Sequence, residues 1–178
     1  MTVSIPSRLF HGTVYEFDSF EPGKFNGFTS PRVGIYLTDD LVTCREFGHL
    51  IYEVEARAKK VFDARDLYDF STCQTLGELV DEANGEAAAI WERSGGNARR
   101  FVRGGGLQTA EMIAALASRG FDGMVFWDEF GRRGFESYVV FDPDQVQIVS
   151  KRNLSEVDCS GIHDYDWDAE APEAGARP

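Results

Sequence analysis

Two rhythms of apolar residues run along this chain. Residues 3–10 read as a first strand ending at His11, and 33–38 as a second. Asp39 or Asp40 then suits a helix N-cap, opening a short helix through Phe47 that stops at Gly48. Residues 50–56 alternate apolar and polar, with Ile51 and Val54 against Glu53 and Glu55, which predicts a strand near a sheet edge. Residues 60–62 extend that pairing. Beyond Asp63 the period lengthens. Leu76, Leu79, Val80, Ala83, Ala87, Ile90 and Trp91 repeat at i, i+3, i+4 spacing, the mark of a core-facing helix. A second helix is expected over 107–119, burying Met112, Ile113 and Leu116 and ending at Gly120. Strands follow at 123–127 and 138–149, joined by a polar turn over 128–134.

This order is not the strict strand–helix alternation of a doubly wound sheet. It fits an α+β domain with mostly antiparallel strands. Phe17, Phe20, Phe25 and Phe28 crowd a loop-rich stretch broken by Pro22, Gly23, Gly27 and Pro31, and such rings pack a loop down. The glycine clusters at 95–96 and 104–106 lack the strand before and the Gly-Lys-Ser/Thr after that a phosphate-cradling loop needs. They read as flexible connections.

The 178 residues suffice for one ordinary domain, expected over 1–152, and no apolar run approaches the roughly 18 residues of a membrane span. The N-terminus lacks a charged-then-apolar leader, so a cytoplasmic protein is expected, without a membrane partner. Cys44, Cys73 and Cys159 have no metal-ligand spacing, which argues against a disulfide framework and a metal site. The formal charge is −12, and a surface this acidic repels phosphate backbones, so nucleic acid is an unlikely partner. Residues 156–178 hold seven acidic groups against the single Arg177, about half of that excess. Residues 153–178 are therefore expected to be an acidic, disordered tail.

Three short motifs carry the candidate chemistry: His11-Gly12-Thr13 after a strand, Gly34-Ile35-Tyr36-Leu37-Thr38-Asp39, and a last strand from Tyr138 to Val146. In this order and spacing the chain resembles the ADP-ribosyltransferase superfamily, in its diphtheria-toxin and poly(ADP-ribose) polymerase branch, whose signature is His, Tyr and Glu on three strands. The resemblance spans roughly residues 8–150. It implies a split, mostly antiparallel β-sheet with flanking helices, and NAD as substrate, with no metal.

By that resemblance His11 bonds an NAD ribose hydroxyl, the Gly12 backbone holds the carboxamide, and Thr13 completes the motif. Gly34 and Tyr36 lie against the nicotinamide, and Phe47 is a second stacking ring. From its place alone, just before the Tyr36 strand, Arg32 reads either as a residue that meets the diphosphate or as an ordinary surface residue. The implied reaction transfers ADP-ribose from NAD to a macromolecule, expected to be a protein, through an oxocarbenium-like state that needs nearby negative charge. The biological role it implies is that of a phage or bacterial effector, toxin or anti-defence protein.

The chain departs from the pattern at one place. The family's catalytic glutamate immediately precedes the tyrosine of the last strand, where this chain has Ser137, with Glu136 one residue earlier. Neighbouring side chains on a strand point to opposite faces, so a colinear reading turns Glu136 away from the cleft. Three explanations stay open. A β-bulge over 134–136 re-aims Glu136; Asp128 or Glu129 supplies the carboxylate, as in some phage anti-CRISPR ADP-ribosyltransferases; or the domain binds NAD, ADP-ribose or a protein without catalysis. His49 and His163 read as ordinary turn residues.

Overall fold

The computed structural model describes residues 2–21, 34–130 and 133–153. The expectations for Phe25, Phe28, Arg32, Cys159, His163 and the acidic tail beyond Asn153 lie outside the described residues. The strands are β1 (Thr2–Val3), β2 (Leu9–Thr13), β3 (Ile35–Leu37), β4 (Leu50–Ala56), β5 (Val61–Asp63), β6 (Gly123–Phe130), β7 (Arg133–Val140) and β8 (Val146–Asn153). The helices are α1 (Leu41–Phe47), α2 (Phe70–Ala83), α3 (Gly85–Arg93), α4 (Ala98–Arg103) and α5 (Ala110–Ser118).

The strands form two sheets, of order β1-β5-β6-β7-β3 and β2-β4-β8. Only β5 and β6 pair in parallel; the other described pairs are antiparallel. Two cores define three layers. On one face of the larger sheet, Phe62, Met124, Phe126 and Val139 bury against Leu76, Leu79, Phe101, Leu107, Met112 and Leu116 of the helical segment. On the other face, Val61, Val125, Tyr138 and Val140 bury with Leu9, Tyr52 and Val54 of the smaller sheet. Each such side chain, removed from water, contributes about 1.5–3 kcal/mol.

Several boundaries follow the local chemistry. Asp40 caps α1: its carboxylate accepts from the Val42 amide at 2.9 Å and the Thr43 hydroxyl at 2.7 Å. Thr109 likewise caps α5, accepting from the Met112 amide at 3.3 Å.

Other expectations are corrected. The first strand is two pieces in different sheets, with Pro6 in the gap between them. β4 is the centre of its sheet, between β2 and β8, so its alternation reflects one buried face rather than an edge. β5 does not extend β4 but crosses to the larger sheet. The helical run of 76–91 breaks at Asn84 and Gly85, both with positive φ, into α2 and α3. A further helix, α4, not among those expected, stands between the two glycine clusters. Residues 128–130 and 133–134, expected in the turn, belong to β6 and β7, which are therefore longer than expected, and the final strand divides at Pro143 into β7 and β8.

Candidate active site

β2 and β3 belong to different sheets, yet they meet. The Phe10 amide donates to the Thr38 carbonyl at 2.7 Å and the Thr38 amide to the Phe10 carbonyl at 3.0 Å. One residue on, the His11 Nδ1 lies 2.9 Å from the Tyr36 carbonyl oxygen. Alternate backbone groups of a strand point to opposite edges. The Gly12 amide and carbonyl therefore face the same edge as those of Phe10, away from β4. A side chain at Gly12 is excluded by α1: a Cβ there would lie 2.1 Å from the Cys44 carbonyl oxygen. The neighbouring Thr13 is buried, and its hydroxyl accepts from the Tyr15 amide at 3.2 Å.

The contact with Tyr36 fixes the state of His11. A carbonyl oxygen only accepts, so Nδ1 carries the proton. Burial lowers the imidazole pKa, outweighing the raising effect of the Tyr36 carbonyl, so the ring is neutral at pH 7. Nε2 is then left with a lone pair, suited to accept from a hydroxyl. Phe17 and Phe20 meet the ring edge-on, at centroid distances of 5.9 and 5.3 Å. Phe17 is itself stacked on Tyr52 at 4.3 Å, and the Tyr52 hydroxyl donates to the Phe17 carbonyl at 3.0 Å.

The strand registers decide which side chains share a face. Tyr36 pairs with Val139, and two residues along β7 from Val139 stands Ser137, then Phe135. Across β6, Phe126 opposes Ser137 and Asp128 opposes Phe135. Tyr36, Ser137, Phe135 and Asp128 therefore lie on one face of the larger sheet. Phe47, at the end of α1, reaches the same end, its ring 6.4 Å from that of Phe135. Gly34 opens β3 with φ +96°, and a Cβ there would stand 2.6 Å from Val139 Cγ1, so the approach of β3 to β7 requires glycine.

Glu136 lies on the opposite face. It pairs with Trp127, and β6 and β7 stay in register from Gly123–Val140 to Phe130–Arg133, so the bulge that was to re-aim it is corrected. Its two carboxylate oxygens accept from Arg65 Nη1 at 3.0 and 3.1 Å, and one also accepts from the Tyr138 hydroxyl. Arg65 in turn grips Asp63 through Nε at 2.9 Å and Nη2 at 2.7 Å. That grip holds the Asp63 carboxyl below its ordinary range, against its own burial. Burial and the carboxylate of Glu136 push the Tyr138 hydroxyl well up, and burial with the charges of Glu136 and Asp40 raises Asp39.

Comparison with known proteins bears on this arrangement. The family model described as ADP-ribosyltransferase in polyvalent proteins matches residues 5–156. The chain belongs to that family. No curated protein matches it. Among solved structures, one titled a crystal structure of an anti-CRISPR protein is similar at 14% identity and a TM-score of 0.42, covering 79% of this chain and 93% of that one. At that level the likeness carries no argument.

Within this ADP-ribosyltransferase domain the fold brings together His11, Gly12, Thr13, Gly34, Tyr36 and Phe47, with Asp128 on the Tyr36 face. Glu136 stands apart. Glu129 is a strand position opposite Gly134, and Arg32 lies outside the described residues. Sequence reasoning missed Asp63, Arg65 and Phe135. Arg65 two residues after Asp63 was a visible signal, but its long-range partner Glu136 was not. Among the described residues no group of three or more His, Cys, Asp or Glu side chains is placed to hold a metal ion, and no helix is long and apolar enough to cross a membrane.

Proposed function

We propose that this domain transfers ADP-ribose from NAD to a protein side chain, releasing nicotinamide. The observation that carries the reading is the contact of His11 with the Tyr36 carbonyl, which brings the two family motifs to one place with His11 neutral. In this reading His11 Nε2 accepts from a ribose hydroxyl, the Gly12 backbone holds the carboxamide, and Tyr36 and Phe47 flank the nicotinamide ring. Thr13 supports the turn beneath it, Gly34 allows close approach, and Arg32 meets the diphosphate.

The bond between nicotinamide and the ribose anomeric carbon breaks with its electrons leaving on the nicotinamide nitrogen. Positive charge then spreads over the ribose, and a carboxylate facing it lowers the barrier. We assign that carboxylate to Asp128, which shares the Tyr36 face, rather than to Glu136, which lies on the opposite face. The acceptor's nucleophile then bonds to the anomeric carbon and loses its proton. The biological role that goes with this reading is that of a phage or bacterial effector acting in the cytoplasm on a host protein.

One observation favours a second reading. Serine at the family's acid position cannot supply negative charge, which suits a domain that binds NAD or ADP-ribose without turnover. Incubation with NAD labelled in the adenosine half separates the two. Label carried onto protein, with release of nicotinamide, that disappears in Asp128→Asn supports transfer. Saturable NAD binding without release, unchanged in that variant, supports the binding module.

A further inference from the structure

On an acidic chain, residues 93–110 stand out: they contain four arginines, Arg93, Arg99, Arg100 and Arg103, and no Asp or Glu. α4 carries three of them. It buries Ala98, Phe101 and Val102, which turns the arginines outward. Two aromatic side chains two residues apart are exposed, Tyr68 at 85%, which meets Arg99 of α4, and Phe70 at 79%, which opens α2. Large apolar groups this exposed and this close together are uncommon on a monomer and mark contact surfaces.

The patch is built rather than loose. Arg99 Nη1 donates to the Tyr68 hydroxyl at 2.8 Å, with the guanidinium 6.0 Å from the ring centroid. The Asp66 carboxylate accepts from the Tyr68 and Asp69 amides at 3.1 and 3.2 Å, and the Cys73 thiol donates to the Leu67 carbonyl at 3.3 Å. The segment carrying the aromatics is thus held before any partner arrives, which reduces the ordering cost of binding. Elsewhere arginines are neutralised: Arg65 by Asp63 and Glu136, Arg119 by Glu82. Among the described residues no carboxylate forms an ion pair with Arg99 or Arg100.

We propose that this surface docks a short acidic segment of a partner protein. Guanidinium groups pair two-pronged with carboxylates, and the rings of Tyr68 and Phe70 supply apolar area beside them. Length favours a peptide over nucleic acid. The six residues of α4 rise about 9 Å, the reach of roughly three residues of extended peptide. A nucleic-acid strand would run past the arginines onto a surface with net negative charge. Arg65, which holds Glu136 on β7, lies three residues before Tyr68, so the loop that carries Tyr68 is tied to β7 through that ion pair. Naming the docked protein the ADP-ribose acceptor rests on the transferase reading above; the docking itself does not.

The test uses the full chain and a fluorescein-labelled peptide of Glu, Asp and Leu, read by fluorescence anisotropy. The expected result is saturable binding that weakens by about tenfold or more in the Arg99→Glu, Arg100→Glu double variant and weakens as salt is raised. Tyr68→Ala with Phe70→Ala should also weaken it, with less change in its salt dependence. Absent binding, equal binding by these exposed-site variants, or tighter binding of oligothymidine of equal charge overturns the proposal. Nicotinamide release is measured on the same samples. If the peptide binds through the patch while the wild-type chain never consumes NAD, docking stands and the transferase reading fails. If NAD is consumed while the peptide is ignored, the reverse holds.

Discussion

His11 Nδ1 and the Tyr36 carbonyl oxygen stand 2.9 Å apart, and they belong to strands of two different sheets. That hydrogen bond settles which nitrogen of His11 is protonated and, with the paired Phe10–Thr38 backbone bonds, holds the two motifs together. Because burial lowers the imidazole pKa, the linkage has a definite sign. The unfolded chain takes up a proton near pH 6.5 while the folded chain resists it, so stability is full above that value and declines as pH falls below it. The decline approaches about 1.4 kcal/mol per pH unit and stops once the folded ring is protonated. Urea titrations between pH 7.5 and 5 should show a steeper loss for the native chain than for His11→Gln. Identical slopes would mean that the ring is not held neutral.

A second expectation separates the acids by the face on which they lie. Asp128→Asn should lower nicotinamide release by roughly 10²–10³-fold, the usual effect of removing one group that stabilises transition-state charge. Glu136→Gln should instead lower stability by about 1.5–3 kcal/mol, since it weakens charge-assisted bonds from Arg65 and Tyr138, and leave turnover per folded molecule near native. Urea midpoints and steady-state rates on the same preparations decide. A silent Asp128→Asn together with a dead but fully stable Glu136→Gln would reverse the assignment.

Much of this site was legible in the sequence because its parts are local. His11-Gly12-Thr13 and the Tyr36 strand are contiguous motifs, and the Asp40 cap and Gly48 stop bound α1 from single residues. A colinear reading turned Glu136 away from the cleft but left a re-aiming bulge open, and only the unbroken β6–β7 register removes that alternative. Long-range partnership was not legible. Nothing in the alternation of 50–56 says whether β4 is flanked on both sides, because one buried face looks the same in a central or an edge strand. The break at Asn84 was hidden since apolar spacing continues across it, and only backbone φ interrupts the helix. Arg65 reaches Glu136 across 71 residues, a pairing no local pattern encodes.

The contact of α1 with β2 yields a third expectation. At Gly12 a methyl group would meet the Cys44 carbonyl oxygen at 2.1 Å and Cys44 Cα at 2.9 Å, both backbone atoms that cannot rotate away. Gly12→Ala must therefore push α1 off β2, at about 1–3 kcal/mol for an overpacked site. The shift also displaces Phe47 from Phe135. NAD affinity should fall along with stability, read by calorimetry and thermal unfolding. A variant with native stability would show that the helix moves freely at this point.

The last expectation concerns how the Arg65 network acts. Arg65, Glu136 and Tyr138 are partly or well buried, and the Tyr138 hydroxyl donates to the carboxylate that Arg65 also binds. Groups that share one carboxylate polarise each other, so their contributions are not independent. Tyr138→Phe alone strands part of the acceptor capacity of Glu136 and should cost about 1.5–3 kcal/mol. In the background of Glu136→Gln the same change should cost less, because the charge that strengthened the bond is gone. The double-mutant cycle should give a coupling of about 0.5–3 kcal/mol, measured by denaturant unfolding. Simple additivity would show that the hydroxyl and the ion pair stabilise the strand separately, and that Glu136 does not couple Tyr138 to Arg65.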